Sequence, residues 1–360
     1  MIRIVKKNEI SDGEIFDRMS GGADVSATVA DIIADVRARG DEALIEYAAK
    51  FDRAEISEVE VPAEEIDAAV EAVGEEYMKM LRRAAANIER FHKAQLREGF
   101  VINDKEGIVM GQRVLPLAKA GLYVPGGTAP LASTSIMTVP LAAAAGVKEI
   151  VACTPAGRDG KVNEVLLYAL KLAGVTEIYR VGGIQAIGMM AFGTKICRKV
   201  QKIAGPGNAY VTAAKRQVYG YVAIDQVAGP SEIAVLTDGT YDARWVAADL
   251  LSQAEHGSGW EKSLCVCTDI KHAEEVRRHV LEQAETLSRR ELIQRVIDRD
   301  GILIVVAENI TQGIGIVNAF APEHFEILAK NAIKLLKSVR SAGAVFVGPW
   351  TPESAGDFVA

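Results

Sequence analysis

The 360 residues are 49% apolar and 25% charged, which is the balance of an ordinary globular chain with ample material for a core and, at roughly 150 residues each, two or so domains. A net charge of -7 without a clustered Lys/Arg face excludes a nucleic-acid-binding surface, which needs a positive field to neutralise phosphates. The N-terminus, MIRIVKKNEISDGEIF, alternates apolar and charged residues like an edge strand and lacks the apolar core and cleavage site of a signal peptide, so a cytoplasmic chain is expected.

The first hundred residues read as helices. Val29, Ile32, Ile33 and Val36 follow the i, i+3, i+4, i+7 rule, Gly40 closes that helix and Asp41 caps the next, where Leu44, Tyr47, Ala48 and Phe51 continue the pattern. A third and fourth helix are expected over residues 63–95, with Pro62 just before their start. From Gly121 the texture changes to short apolar runs alternating with helical segments. LYV, EIVAC, EIYRVG and VQKIAG alternate with helices over 130–145, 163–172, 185–192 and 208–218. A second series, EIAVL, SLCVC, ILIVVA, FEIL and AVFVG, alternates with helices over 243–255, 273–286, 310–320 and 332–339. This is βαβ grammar, so two parallel-sheet α/β domains follow the helical start. Residues 130–147 carry no charge over about the length a bilayer requires, but Pro140, Gly146 and the hydroxyls of Ser133, Thr134, Ser135 and Thr138 point to a helix buried on a sheet, with no membrane partner.

The four cysteines, Cys153, Cys197, Cys265 and Cys267, lack zinc-ribbon spacing and are read as buried reduced thiols, the last two on one strand face. Three glycine-rich turns, at Tyr123-Val-Pro-Gly-Gly-Thr, Val181-Gly-Gly-Ile-Gln185 and Gly205-Pro-Gly-Asn208, each follow a strand and open a helix on one side of one sheet. Backbone N–H groups there face outward and favour anions, although none of the turns is G-x-G-x-x-G. Pattern alone leaves nucleotide binding and simple tight βα loops both open.

In IDQVAGPSEIAVLTDGTYDARWVAADLLSQAEH, a Gly-Pro-Ser turn feeds a strand and then a helix ending in Gln253-x-x-His256. Side chains three apart project from one helix face. A carboxamide oxygen and an imidazole can hold a divalent metal if carboxylates or imidazoles arrive from elsewhere, and Glu323, His324 and Asp357 are candidates. Pro322-Glu323-His324 is placed in a βα loop, where an adjacent carboxylate and imidazole can share proton transfers. His272 and His279 are read as solvated on a charged helix, and His92 as a helix-packing residue. His256, beside Gly257 at a helix end, suits a structural role or a ligand role equally.

Together, GDEAL (40–44), GLYVPGG (121–127), GPGN, IDQVAGPSE, LLSQAEH, APEH and TPESAGD resemble the histidinol dehydrogenase family, in family order from about residue 25 to the last residue. The resemblance implies zinc-dependent oxidation of L-histidinol to L-histidine through L-histidinaldehyde, with two NAD+, at the end of histidine biosynthesis. It makes Gln253, His256 and Asp357 ligands of one zinc per subunit and Glu323 and His324 the acid-base residues. Tyr123, Gln185 and Asn208 fall where the family binds NAD; Ser231 and His324, with the three zinc ligands, fall where it contacts substrate. The implied fold is two incomplete Rossmann-like domains with a helical N-terminal extension: residues 1–24 as the extension, 25–120 plus 233–360 as the zinc and substrate side, and 121–232 as the NAD side. The family is an intertwined homodimer whose pattern continues past Asp357 into a tail with a further zinc-ligating His and a substrate-contacting Glu. A chain ending at Ala360 is therefore expected to turn over weakly or not at all by itself, and a family-type tail to restore the rate. The competing readings are an NAD-dependent dehydrogenase of another small polar alcohol, a non-catalytic NAD- or zinc-binding fragment and, from the glycine turns alone, a phosphate-binding transferase.

Overall fold

The computed structural model describes residues 2–18, 24–103, 106–126 and 131–359. In chain order it begins with β1 (Arg3–Lys6), α1 (Asp12–Phe16), α2 (Ser26–Arg39), α3 (Asp41–Tyr47), α4 (Ala63–Ala72) and α5 (Glu75–Lys93). A hairpin of β2 (Phe100–Asn103) and β3 (Val109–Gln112) follows. Next come β4 (Lys119–Tyr123), α6 (Ala132–Ala144), β5 (Glu149–Cys153), α7 (Glu164–Ala173), β6 (Glu177–Tyr179), α8 (Gly183–Phe192), β7 (Lys202–Ala204), α9 (Ala209–Val218) and β8 (Ala223–Ile224). The second series is β9 (Glu232–Thr237), α10 (Ala243–Ala254), β10 (Lys262–Cys267), α11 (Ile270–Ala284), α12 (Arg290–Asp298), β11 (Ile302–Val306), α13 (Ile310–Phe320), β12 (His324–Leu328), α14 (Ala332–Leu335), β13 (Ala344–Val347) and α15 (Gly356–Val359).

Two compact units divide the chain: Met1–Gly22 with Gly229–Gly356, and Ala23–Ala228 with Asp357–Ala360. The first holds a six-stranded parallel sheet in the order β1-β11-β10-β9-β12-β13. Its central strands are near-continuous apolar runs because both faces are covered. One face packs Val246, Leu250 and Val276 of α10 and α11, and the other packs Ile314 and Val317 of α13. The alternating N-terminus is the edge strand its pattern suggested.

The second unit holds a five-stranded parallel sheet in the order β6-β5-β4-β7-β8. The helical N-terminal segment belongs here, so the assignment of residues 25–120 to the same domain as 233–360 is corrected. The cause is packing. Val29, Ile32, Val36 and Leu44 join α8 and α9 in one core, and a Cβ on Gly188 would already lie 3.3 Å from Val36. Residues 59–61 run along β6, with Val61 donating to Ile178 and Arg180 to Val59, each at 2.8 Å. Arg180 also pairs with Glu65 of α4 at 2.8 Å.

Elements additional to those expected are α1, the β2–β3 hairpin, whose strands are exposed throughout, β8, α12 and α15. All four cysteines are buried free thiols. His272 is a further correction: its helix turns it inward, where it is 7% exposed and meets the Thr237 hydroxyl at 3.3 Å. His279 is half-buried rather than fully solvated.

Candidate active site

In the six-stranded unit the chemistry gathers on the amino-terminal edge of the sheet. Glu323 and His324 were expected in a βα loop; they lie instead where α13 returns through Ala321 and Pro322 to the first residue of β12. The parallel register sets His324 opposite Ile233, one residue from Glu232 and two from Ser231. His324 Nδ1 donates to the Glu232 carbonyl at 3.0 Å, which leaves Nε2 as the basic nitrogen. Nε2 faces the Glu353 carboxylate at 3.5 Å, and Glu323 reaches within 3.9 Å of Nδ1 while staying half-exposed. Arg18 steadies this edge. Its guanidinium pairs with Glu232, donates to the carbonyls of Phe320 and Ala321, and stacks on the Phe320 ring. Ala321 is held at φ 51°, a left-handed turn that aims Glu323 and His324 back toward Glu232.

α10 runs antiparallel to the strands and ends at the same edge. Gln253 is fully buried; among the described residues its Oε1 has no hydrogen-bond partner, and its Nε2 meets the Ser252 hydroxyl at 3.4 Å. His256 lies just past the helix end, its backbone N–H bonded to the Gln253 carbonyl at 3.2 Å. Its Nδ1 donates to the Ser252 carbonyl at 3.1 Å, so Nε2 points outward as a ligand nitrogen with a fixed tautomer. A buried acceptor oxygen without a donor, one turn from such an imidazole, fits a divalent cation. Among the described residues no three His, Cys, Asp or Glu side chains converge as a metal cage. Asp357 lies on α15 and is grouped with the five-stranded unit.

Three acids here were not singled out from the sequence: Asp249, Glu326 and Glu353. Glu326 is 1% exposed, and burial first, then the Asp249 carboxyl, pushes its own up to about 10. Burial also raises Asp249. The signals were present: Glu326 is two residues after His324, hence on the same strand face, in the otherwise apolar FEIL, and Asp249 lies one turn before Gln253.

The five-stranded unit carries the second cluster, at the carboxyl ends of β4 and β7, where the strand order reverses. That crevice is where open parallel sheets bind nucleotides. Tyr123 ends β4; its buried hydroxyl accepts the Gly183 N–H at 3.1 Å, and burial pushes the phenol up to about 12. Gly205, at φ +118°, passes so close that a Cβ there would lie 2.1 Å from the Tyr123 carbonyl oxygen. Asn208 caps α9, its Oδ1 accepting from Tyr210 and Val211 N–H at 3.0 and 3.1 Å. Gln185, 1% exposed, has an Nε2 with no partner among the described residues. An unsatisfied donor near a helix N-terminus fits a ligand rich in oxygen acceptors. Gly127 and Thr128 of the first glycine turn lie outside the described residues.

A sequence model of the histidinol dehydrogenase family matches residues 17–360. The chain is 43% identical to a histidinol dehydrogenase of Clostridium acetobutylicum over 100% of its own length and 84% of the relative's. It is 45% identical to one of Geobacillus kaustophilus, over 95% and 80%. A crystal structure of histidinol dehydrogenase from Elizabethkingia anophelis superposes with a TM-score of 0.93 at 37% identity, covering 99% of this chain and 82% of that one.

Proposed function

Because the chain belongs to the histidinol dehydrogenase family, oxidoreductases that oxidise histidinol in histidine biosynthesis, we propose that it converts L-histidinol to L-histidine through L-histidinaldehyde, with NAD and one zinc per subunit. The observation that carries the zinc reading is the buried Gln253 Oε1, without a hydrogen-bond partner among the described residues, one turn from His256 Nε2. The family resemblance adds Asp357 to that donor set. The β4/β7 crevice, with Tyr123, Gln185 and Asn208, supports the NAD reading. When bound, zinc supplies a Lewis-acid anchor for the imidazole and amine of histidinol, and NAD+ supplies the hydride acceptor.

The chain's own groups do the rest. Ser231, Gln253, His256, His324 and Asp357 orient the substrate. His324, with Nδ1–H tied to the Glu232 carbonyl, takes the alcohol proton on Nε2, and the new N–H points at Glu353. In the second oxidation Glu323, half-exposed beside His324, deprotonates the water that attacks the aldehyde. Each transfer is worth about 10² to 10⁴ in rate. Glu323→Gln is therefore expected to keep oxidising histidinol to the aldehyde stage while histidine formation falls about 100-fold or more. Undiminished histidine formation by that variant contradicts the assignment.

The partner we propose is a second copy of the chain. The β2–β3 hairpin exposes Val101 at 71% and Val109 at 67%, with Phe100, Ile102 and Met110 at 50–53%, an apolar surface of the kind that subunit interfaces cover. Free buried cysteines suit a cytoplasmic site of action. Among the described residues no helix is long and apolar enough to cross a membrane.

A further inference from the structure

A buried ion pair holds the Gly205-Pro-Gly-Asn208 turn, and the chemistry described so far leaves it unused. Lys215 lies two turns along α9 and is 3% exposed; its side chain points back toward the helix start, as long helical side chains do. Its ammonium pairs at 2.5 Å with Asp225, the residue after β8. Both groups also bind Gly205. Lys215 Nζ donates to the Gly205 carbonyl at 2.8 Å, and Asp225 Oδ2 accepts the Gly205 N–H at 2.9 Å. Asp225 is fixed in turn: its Oδ1 accepts the Gln226 N–H at 2.7 Å, and its own N–H donates to the Ile203 carbonyl of β7 at 3.1 Å. Ammonium, carboxylate and the two backbone groups of Gly205 thus close a ring. Glycine visits positive and negative φ about equally, so a turn containing Gly205 and Gly207 spreads over several shapes unless something outside it selects one. The selected shape, with Gly205 at φ +118°, lays the backbone against the Tyr123 carbonyl and leads into α9, which Asn208 caps. An apolar pair of similar volume often packs as stably as a buried ion pair, so stability does not account for the charges; the two bonds to Gly205 do.

We infer that Lys215 and Asp225 form a clamp that holds the Gly205-Pro-Gly-Asn208 turn in its binding shape before NAD arrives. Both are positioning residues, and the inference rests on the reading that NAD binds at the β4/β7 crevice. Binding then starts from an ordered turn. A turn without the clamp is competent for only a fraction of the time, and the apparent Kd rises by the inverse of that fraction. The effect is confined to cofactor affinity, because saturating NAD+ orders the turn whether or not the clamp is present.

The test is made on the whole chain. The double variant Lys215→Met/Asp225→Asn removes both charges together, so none is left buried and unpaired, and keeps an amide oxygen for the Gly205 N–H. It should raise the Kd for NAD+ in a calorimetric titration, and the KM for NAD+, about 10-fold or more. At saturating NAD+ its kcat should stay within about threefold of the parent, and KM for histidinol should hold. Amide hydrogen exchange across residues 203–211, measured without NAD+, should be faster than in the parent, and saturating NAD+ should restore the parent's protection. Unchanged exchange overturns the clamp. Faster exchange with an unchanged Kd, or a loss of kcat that saturating NAD+ does not restore, overturns the positioning role. If the variant does not fold, the parent decides: exchange over 203–211 as fast as in an unstructured peptide overturns the clamp. A parent chain that protects this turn but binds no NAD+ overturns the cofactor reading and leaves the clamp standing.

Discussion

Asp52 offers the sharpest stability test. It follows α3, and its carboxyl sits over the Gly182-Gly183 opening of α8, where a Cβ on Gly182 would lie 3.1 and 3.2 Å from its two oxygens. The Gly182 N–H favours the anion, but Oδ2 is buried without a partner among the described residues, and burial wins: the carboxyl is raised from 3.8 to about 6. The folded state therefore binds this proton more tightly than the unfolded state does. Between about pH 4 and 6 stability falls as pH rises, and above pH 6 the whole deficit is present. A rise of roughly 2 units corresponds to about 3 kcal/mol, reduced to about 1–2 kcal/mol because Asp52 stays partly open to solvent. Asp52→Asn removes the charge and keeps an oxygen for the Gly182 N–H. At pH 7.5 it should be more stable by about 1–2 kcal/mol, a rise of about 1–3 °C in melting temperature. At pH 4 the gain should shrink toward zero. Urea and thermal melts at both pH values measure this. A variant less stable than the parent at pH 7.5, or equally stabilised at both, refutes the burial argument.

Gly205→Ala places a Cβ 2.1 Å from the Tyr123 carbonyl oxygen at φ +118°, a strain of about 1–3 kcal/mol before the loop moves. It should weaken NAD binding about tenfold or more in a calorimetric titration; unchanged affinity would remove NAD from the β4/β7 crevice. Val101→Glu with Val109→Glu puts charges on the apolar hairpin and should convert a dimer to a monomer in sedimentation, whereas a dimer that persists places the interface elsewhere.

Much of this architecture was legible because periodicity is local. The i, i+3, i+4 stripe of Val29, Ile32, Ile33 and Val36 made α2, and apolar runs such as ILIVV made strands of a doubly covered sheet. Assignment of α2 to α5 to a unit was not local. It depends on Val36 meeting Gly188 and on residues 59–61 lining β6, contacts that no spacing encodes. His272 sits among charged neighbours in sequence, yet its ring faces Thr237. The hairpin reads as apolar but stays exposed, so its pattern alone mimics a core strand. At the candidate site, Gln253, His256 and the Glu323-His324 dipeptide stand out by chemistry and motif. Glu353 and Asp249 are single acids distant in sequence from His324, and only the return of α10 and of the last turn to one sheet edge brings them together.

The most direct measurement is NADH formation by the purified chain with L-histidinol, NAD+ and Zn2+, with product identification and a chelator control. The account predicts chelator-sensitive formation of histidine with two NADH for each histidine, whatever the rate. Oxidation that stops at one NADH, runs undiminished under the chelator or prefers a small alcohol lacking imidazole would contradict it.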